Sequence, residues 1–326
     1  MRGIDPARLF ALAWRVVPRM PRWLARGIFD AVALAAHTGR IGGVQQLERN
    51  LDRLTGGLSP RELRRLSRAG IRSYMRYYCE SFQLPGMSEA EVDARVRATG
   101  QERVAEQVAR GQTVVLALGH AGNWDLAGAW GNRHIGTVVT VAERLEPEAL
   151  FTRFTTFRES LGMVIIPFDR GGVAFRELLR QSRRPGIVPL LADRDLSSTG
   201  VDVQVGEHEV RVAPGPAALA LARGASLVPL LIHYERLHGA RRRAARSPWG
   251  IHIHFLDEIP APPPEQSSAQ RVATMTRHWF TAYTEALAEV PQDWHMLQKV
   301  YTADLDPERL ARARARGAHP APPEEP

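Results

Sequence analysis

Thr113-Val114-Val115-Leu116-Ala117-Leu118 followed by Gly119-His120-Ala121-Gly122-Asn123-Trp124-Asp125 is the stretch on which the fold of this chain turns. The apolar run reads as a buried strand, and the Gly-Asn pair after it as a turn that opens a helix. A strand-to-helix turn sets polar side chains at the mouth of a sheet, where α/β proteins place their chemistry. His120 and Asp125 stand there with four residues between them. That spacing gives the imidazole a carboxylate reaching back from the first helical turn, a combination that makes a general base. From spacing alone, a helix-capping turn with an incidental histidine accounts for the motif equally well.

The segments on either side extend the strand-to-helix pattern. Strands are expected at 113–118, 137–142, 163–167, 187–192, 227–233 and 250–256, and helices near 123–133, 146–161, 172–183 and 214–223. Such alternation predicts an α/β fold, one domain with a central sheet covered by helices. Val201–Val205 and Val210–Val212 flank a polar stretch and read as a hairpin, so the sheet is expected to be mixed. Further helices are expected over 60–82, 89–110 and 267–289. The main domain is placed at 41–306. Residues 307–326, Arg-rich and then Pro- and Glu-rich, read as a disordered tail.

Residues 1–40 read as a basic amphipathic helical segment. Leu9, Phe10, Leu12, Trp14, Trp23, Leu24, Ile28 and Phe29 alternate with arginines, and Pro18 to Pro21 split the stretch into two helices. This composition suits a helix lying in a bilayer interface, or a helical pair packed on its own domain. No stretch approaches the ~20 apolar residues of a membrane span, so any membrane contact is expected to be peripheral.

The formal net charge of +8 is almost all arginine, Lys299 being the single lysine. It favours anionic partners such as phospholipid headgroups or phosphorylated substrates. No nucleic-acid motif accompanies it, so no nucleic-acid partner is expected. Cys79 is the only cysteine, which excludes an intramolecular disulfide and a thiolate metal cluster. His252 and His254 share one face of an expected strand, but without a third ligand nearby no metal site is expected.

No serine or cysteine lies within the His120 motif, so the attacking oxygen would come from a substrate. Asn123 is placed to cap the following helix while the backbone donors of its first turn stay open to an anion. Arg158 has the chemistry to pair with a phosphate or a developing oxyanion, and Glu143 to accept hydrogen bonds from sugar hydroxyls or to hold an arginine. A structural ion pair beneath the site suits both residues equally. Arg194, between two aspartates, suits a fork that locks two loops.

His-Ala-Gly-Asn-Trp-Asp at 120–125 resembles the HxxxxD signature of glycerolipid-type acyltransferases, in the branch of the lipid A late acyltransferases. More narrowly, the chain is similar to the actinobacterial phosphatidylinositol mannoside acyltransferases. Val141–Leu145, Phe157–Gly162, Ala192–Leu196, Ala213–Ala217 and Asp293–Gln298 carry the likeness in the family's order, over roughly residues 10 to 308. The resemblance implies transfer of a long-chain, palmitoyl-type acyl group from acyl-CoA to a mannose hydroxyl of a phosphatidylinositol mannoside. Acyl-CoA would be a co-substrate, with no cofactor. The enzyme would act as a peripheral protein on an anionic membrane, at the cytoplasmic face of the plasma membrane. His120 would be the base, Asp125 would belong to its motif, and Asp193 would be a second acidic partner where relatives commonly carry glutamate. The shorter aspartate implies a looser contact, a bridging water, or a role passed to Asp125. Asn123, Glu143, Arg158 and Arg194 would line the substrate site, and Trp294 and His295 would pack beside it. Another glycolipid or a lysophospholipid as acceptor, an acyl-CoA thioesterase using water, and a non-catalytic binder remain the alternatives.

Overall fold

The run at 113–118 forms an interior strand of a five-stranded sheet. The computed structural model describes residues 6–318 except 145–147, 169–171, 196 and 198. Its first half contains α1 (Pro6–Val16), α2 (Arg22–Thr38), α3 (Val44–Leu54), α4 (Pro60–Gln83), α5 (Glu89–Arg95), β1 (Val96–Thr99), α6 (Gln101–Ala109), β2 (Thr113–Leu118), α7 (Trp124–His134), β3 (Val139–Ala142) and α8 (Glu148–Ser160). There follow β4 (Val164–Pro167), α9 (Val173–Gln181), β5 (Gly186–Leu191), β6 (Val201–Val205), β7 (His208–Val212), α10 (Gly215–Arg223), β8 (Ser226–Arg236), α11 (Gly239–Ala244), β9 (Trp249–Phe255), α12 (Ser268–Ala288) and α13 (Pro307–Ala318).

The sheet order is β1-β9-β8-β2-β5. All neighbours run parallel except β8 and β9, so the sheet is mixed. β3 and β4 form a parallel pair, joined to β5 by a bridge between Val138 and Ile187, and β6 and β7 form the expected hairpin. β2 explains its own composition. Val115 and Ala117 enter a core with Trp279, Phe280 and Tyr283 of α12, while Val114, Leu116 and Leu118 enter a second core with Leu126 of α7. Both faces of the strand are covered, so it reads as a continuous apolar run rather than an alternating one.

Three expectations change. The helix expected over 89–110 is broken by β1, because Val96 to Thr99 pair with Ile251 to His254 of β9. Local helical preference yields there to a tertiary partner 155 residues away. The tail expected to be disordered is helical over Pro307–Ala318. Asp306 caps the Arg309 amide, and Arg314 reaches Asp202 at 2.9 Å and also pairs with Glu209. Residues 319–326 lie outside the described residues. At the other end, with residues 1–5 outside the described set, the apolar residues of α1 and α2 divide. Phe10 and Trp14 pack edge-on against Phe82, and Phe29 also meets Phe82, so these rings belong to the protein. Leu9, Leu12, Trp23, Leu24, Ile28 and Val32 face outward.

Candidate active site

β2 and β5 are adjacent and parallel, with Leu118 opposite Leu191. Two residues beyond each strand end stand His120 and Asp193, so the sheet register itself brings them together. His120 Nδ1 lies 2.7 Å from Asp193 Oδ1, and the His120 backbone N–H donates to Oδ2 at 2.9 Å. The indole Nε1–H of Trp294 donates to the same Oδ2 at 3.0 Å. Aspartate therefore reaches the histidine directly, without the looseness its shorter side chain suggested. Gly119 makes room for this: a Cβ there would sit 2.7 Å from Asp193 Oδ2 and 2.4 Å from the Tyr283 hydroxyl.

Asp193 is fully buried, whereas the His120 side chain is 40% exposed. Burial disfavours the imidazolium, but the Asp193 charge and hydrogen bond outweigh it and hold the His120 pKa above its ordinary value. Burial likewise works against the Asp193 carboxylate, and the His120 charge with three hydrogen bonds pulls its pKa below normal. The pair is thus an imidazole with Nδ1 tied to an ionised carboxylate and its other nitrogen on the exposed side of the ring. Such an imidazole takes a proton from an external hydroxyl, its partner fixing the tautomer and stabilising the cation formed. No serine or cysteine is hydrogen-bonded to His120 among the described residues. Cys79 is buried, and its thiol is pushed up to about 12 by burial and the nearby Glu80.

Asp125 is not the carboxylate that orients His120. It is buried in the first turn of α7, with Oδ2 accepting from the Tyr77 hydroxyl at 2.9 Å and Ser81 at 3.3 Å. Its Oδ1 accepts from Arg158 Nε at 2.8 Å. Every strong partner comes from α4 or α8, which draws the carboxylate away from the strand end. Arg158 is therefore in an ion pair, and burial of its guanidinium is more than offset by Asp125. Asn123 does not face the site. Its Oδ1 caps α7 by accepting from the Leu126 amide, and its Nδ2 donates to buried Glu80, so both polar ends are committed to the protein. Gly122 has φ +61°, and a Cβ there would lie 2.5 Å from the Ile232 carbonyl oxygen, which fixes the tight turn into this cap.

Glu143 and Arg194 belong to the electrostatic surroundings of His120, the first favouring its protonation and the second opposing it. Glu143 is exposed just after β3 and holds no arginine among the described residues. Arg194 does not lock its flanking aspartates: Asp193 is taken by His120 and Trp294, and Asp195 accepts from the Ser197 amide. It stands half-buried beside the histidine as a cation available to an anion.

The Asp293-Trp294-His295 segment does more than pack. It crosses the strand end as a short antiparallel cover, with the His295 amide donating to the His120 carbonyl at 2.7 Å and the Gly122 amide to the Asp293 carbonyl at 3.0 Å. Its side chains alternate. Trp294 reaches Asp193, while Asp293 accepts from Ser73 at 2.5 Å and from the Tyr234 amide at 2.8 Å. His295 bonds Ser73 at 3.0 Å through Nε2, and burial with the Arg76 charge pushes its pKa down to about 3, so it stays neutral. The conjunction of Asp, Trp and His was the only sequence signal for these contacts. Trp294→Phe keeps an aromatic side chain and removes one charge-assisted hydrogen bond worth about 1.5–3 kcal/mol. The expected result is a fall in kcat/KM of about tenfold or more with an unchanged fold, measured by steady-state kinetics and circular dichroism.

Beside the pair lies a narrow apolar cavity of about 70 Å³ between the sheet and α7. Trp124, Asp125 and Arg158 belong to its wall with Leu116, Ile187 and Phe255. On the far strands, His252 and His254 stack at 5.7 Å and His233 meets His252 at 3.1 Å. Among the described residues no group of three ligands is placed to hold a metal ion.

Comparison with known proteins bears on this geometry. Residues 6–302 match the family model described as bacterial lipid A biosynthesis acyltransferase. The chain is 36% identical over 306 residues to a phosphatidylinositol mannoside acyltransferase of Mycolicibacterium smegmatis, covering 93% of each chain. It is 35% identical over 310 residues to one of Mycobacterium tuberculosis strain H37Rv, covering 94% of this chain and 92% of that protein. Among solved structures, the 1-acyl-sn-glycerophosphate acyltransferase PlsC of Thermotoga maritima aligns with a TM-score of 0.36 and 12% identity, over 83% of this chain and 99% of that one. With the match spanning nearly the whole chain and both halves of the His120–Asp193 pair, the chain belongs to the bacterial lipid A biosynthesis acyltransferase family.

Proposed function

We propose that this protein transfers a long-chain acyl group, of the palmitoyl class, from acyl-CoA to a mannose hydroxyl of a phosphatidylinositol mannoside. The observation that carries the proposal is an exposed imidazole, oriented by a buried carboxylate, with no protein nucleophile hydrogen-bonded to it among the described residues. His120 Nε2 takes the proton of the sugar hydroxyl as its oxygen forms a bond to the thioester carbonyl carbon. The carbon–sulfur bond then breaks, and the coenzyme A sulfur leaves with the proton returned by the imidazolium. Arg194, whose charge acts on His120, is the cation suited to stabilise the developing oxyanion. The names of the relatives support the acceptor, and the single-base site supports the mechanism.

The apolar cavity receives the acyl chain. Its bore is narrow, and Met163, whose unbranched thioether adapts readily, is part of its wall. Gly128 bounds it, and a Cβ there would lie 2.5 Å from the Met163 methyl. Gly128→Leu is expected to shift the preferred donor from palmitoyl-CoA to short chains, with at least about a tenfold change in the ratio of kcat/KM values. The prediction follows from overpacking, which costs ~1–3 kcal/mol, and competition between donors of different length measures it.

The outward apolar residues of α1 and α2 and the arginines beside them meet an anionic membrane surface peripherally. No helix among the described residues is long and apolar enough to cross a membrane. Trp23 is 70% exposed and Ile28 43%. Because burial of one such side chain contributes ~1.5–3 kcal/mol, W23D/I28D is expected to weaken vesicle binding at least about tenfold in co-sedimentation. The catalytic proposal has its own test. Release of free coenzyme A thiol should depend on the mannosylated acceptor, and equal release without acceptor would identify a thioesterase instead.

A further inference from the structure

A second, larger cavity of about 450 Å³ lies between α2, α4 and the outer ends of β8 and β9. Arg26, Arg72, Arg76 and Arg236 line it with Tyr234 and Trp249. The Arg76 guanidinium stacks 3.6 Å from the Trp249 ring centroid and 4.5 Å from that of Tyr234, and Arg236 lies 4.5 Å from Trp249. Stacking holds a guanidinium by its face and leaves its N–H edges free to donate. The cavity's two carboxylates neutralise only part of this charge. Asp30 is paired with Arg72 at 3.1 Å. Asp293 already accepts from Ser73 and the Tyr234 amide, and burial raises its pKa toward the neutral form. Arg26, Arg76 and Arg236 form no ion pair among the described residues. Burial, and after it the charge of Arg95, hold Arg26 below its ordinary pKa. Convergent cations in such surroundings gain most from a bound anion with several acceptor oxygens.

We propose that this cavity binds the phosphodiester headgroup of an anionic phospholipid. Planar forks converging from α2, α4 and β8 fit phosphate oxygens, and the volume exceeds that of a phosphate alone, leaving room for a polyol substituent. The membrane as source follows from α2. Arg26 and Phe29 line the cavity, while Trp23, Leu24 and Ile28 of the same helix face outward. A lipid with its chains along that outer face brings its phosphate to Arg26. The proposal rests on the membrane-facing reading of α2 only for this choice of source. The cavity is separate from the catalytic centre but shares a wall with it, since Asp293 borders the cavity while its neighbour Trp294 holds Asp193. The phosphodiester is either that of the acyl acceptor or that of a neighbouring lipid.

Calorimetric titration of the wild-type protein with soluble glycerophosphoinositol, which requires no turnover, tests the proposal directly. Wild type should bind it, free inositol should not compete, and R76Q/R236Q should bind at least tenfold more weakly. A single Arg26→Gln variant at the rim should show a smaller loss, and thermal unfolding of each variant verifies the fold. Two further arms separate the sources. A raised acceptor KM with unchanged kcat, and unchanged binding to phosphatidylcholine vesicles containing phosphatidylinositol, assigns the site to the acceptor. Loss of the preference for those vesicles with unchanged acceptor KM assigns it to a neighbouring lipid. No headgroup binding by wild type, or equal binding by wild type and R76Q/R236Q, overturns the proposal, whatever the enzyme's activity.

Discussion

His120→Ala is expected to lower kcat for acyl transfer by about 10²–10⁴-fold, the range contributed by a positioned general base. On the proposed mechanism the residual rate should keep the KM for acyl-CoA, because the imidazole would act on the acceptor hydroxyl and not on donor binding. The fold should persist. The His120 side chain is 40% exposed, and Asp193 retains the backbone N–H of residue 120 and the Trp294 indole as donors. A purified variant that folds normally and transfers at near wild-type rate would remove His120 from the chemistry.

Asp193→Asn is expected to have an effect of similar size by a different route. The carboxylate accepts three hydrogen bonds, and an amide with one oxygen cannot accept them all. An amide N–H facing Nδ1 selects the tautomer with its proton on Nε2, which cannot serve as base, so kcat should fall by about 10²–10⁴-fold. The pH profile carries a second signature. A base works when neutral, so wild-type kcat/KM should rise with pH through an inflection above the ordinary imidazole value, because Asp193 raises the His120 pKa. In D193N the inflection should move down. The stability linkage follows the same signs. The contribution from the raised His120 pKa is fully present below the unfolded histidine value and lost as pH rises through the folded one. That from Asp193 is present above the unfolded carboxylate value and lost as pH falls through its depressed folded value. Chemical denaturation of wild type and D193N across pH measures both.

Much of this was legible from β2 and its neighbours. A strand buried on both faces is a continuous apolar run, and the turn residues after it mark the site whatever lies elsewhere. β1 was hidden because four residues between two helical stretches become a strand only when β9 pairs with them. The His120–Asp193 contact is set by the register of β2 on β5, which no spacing within the 120–125 motif reports, and only family resemblance pointed to Asp193. Asp125 misled for the complementary reason. Its sequence proximity to His120 is overridden by Tyr77, Ser81 and Arg158, which converge on it from helices remote in sequence. Asn123 read correctly as a cap, but its second bond, to Glu80, shows that the cap is buried and closed to substrate. The expected tail is a helix because Arg314 finds Asp202 and Glu209 on the hairpin, partners that composition cannot supply.

The central claim is that an exposed, carboxylate-held imidazole moves an acyl group onto a sugar hydroxyl. Mass spectrometry of the lipids formed from palmitoyl-CoA and mannosylated phosphatidylinositol tests it most directly. The account predicts a glycolipid heavier by one palmitoyl group, with fragmentation placing that group on a mannose, formed by wild type and nearly absent with H120A. Unchanged glycolipid alongside free palmitate, or equal product from H120A, would contradict it.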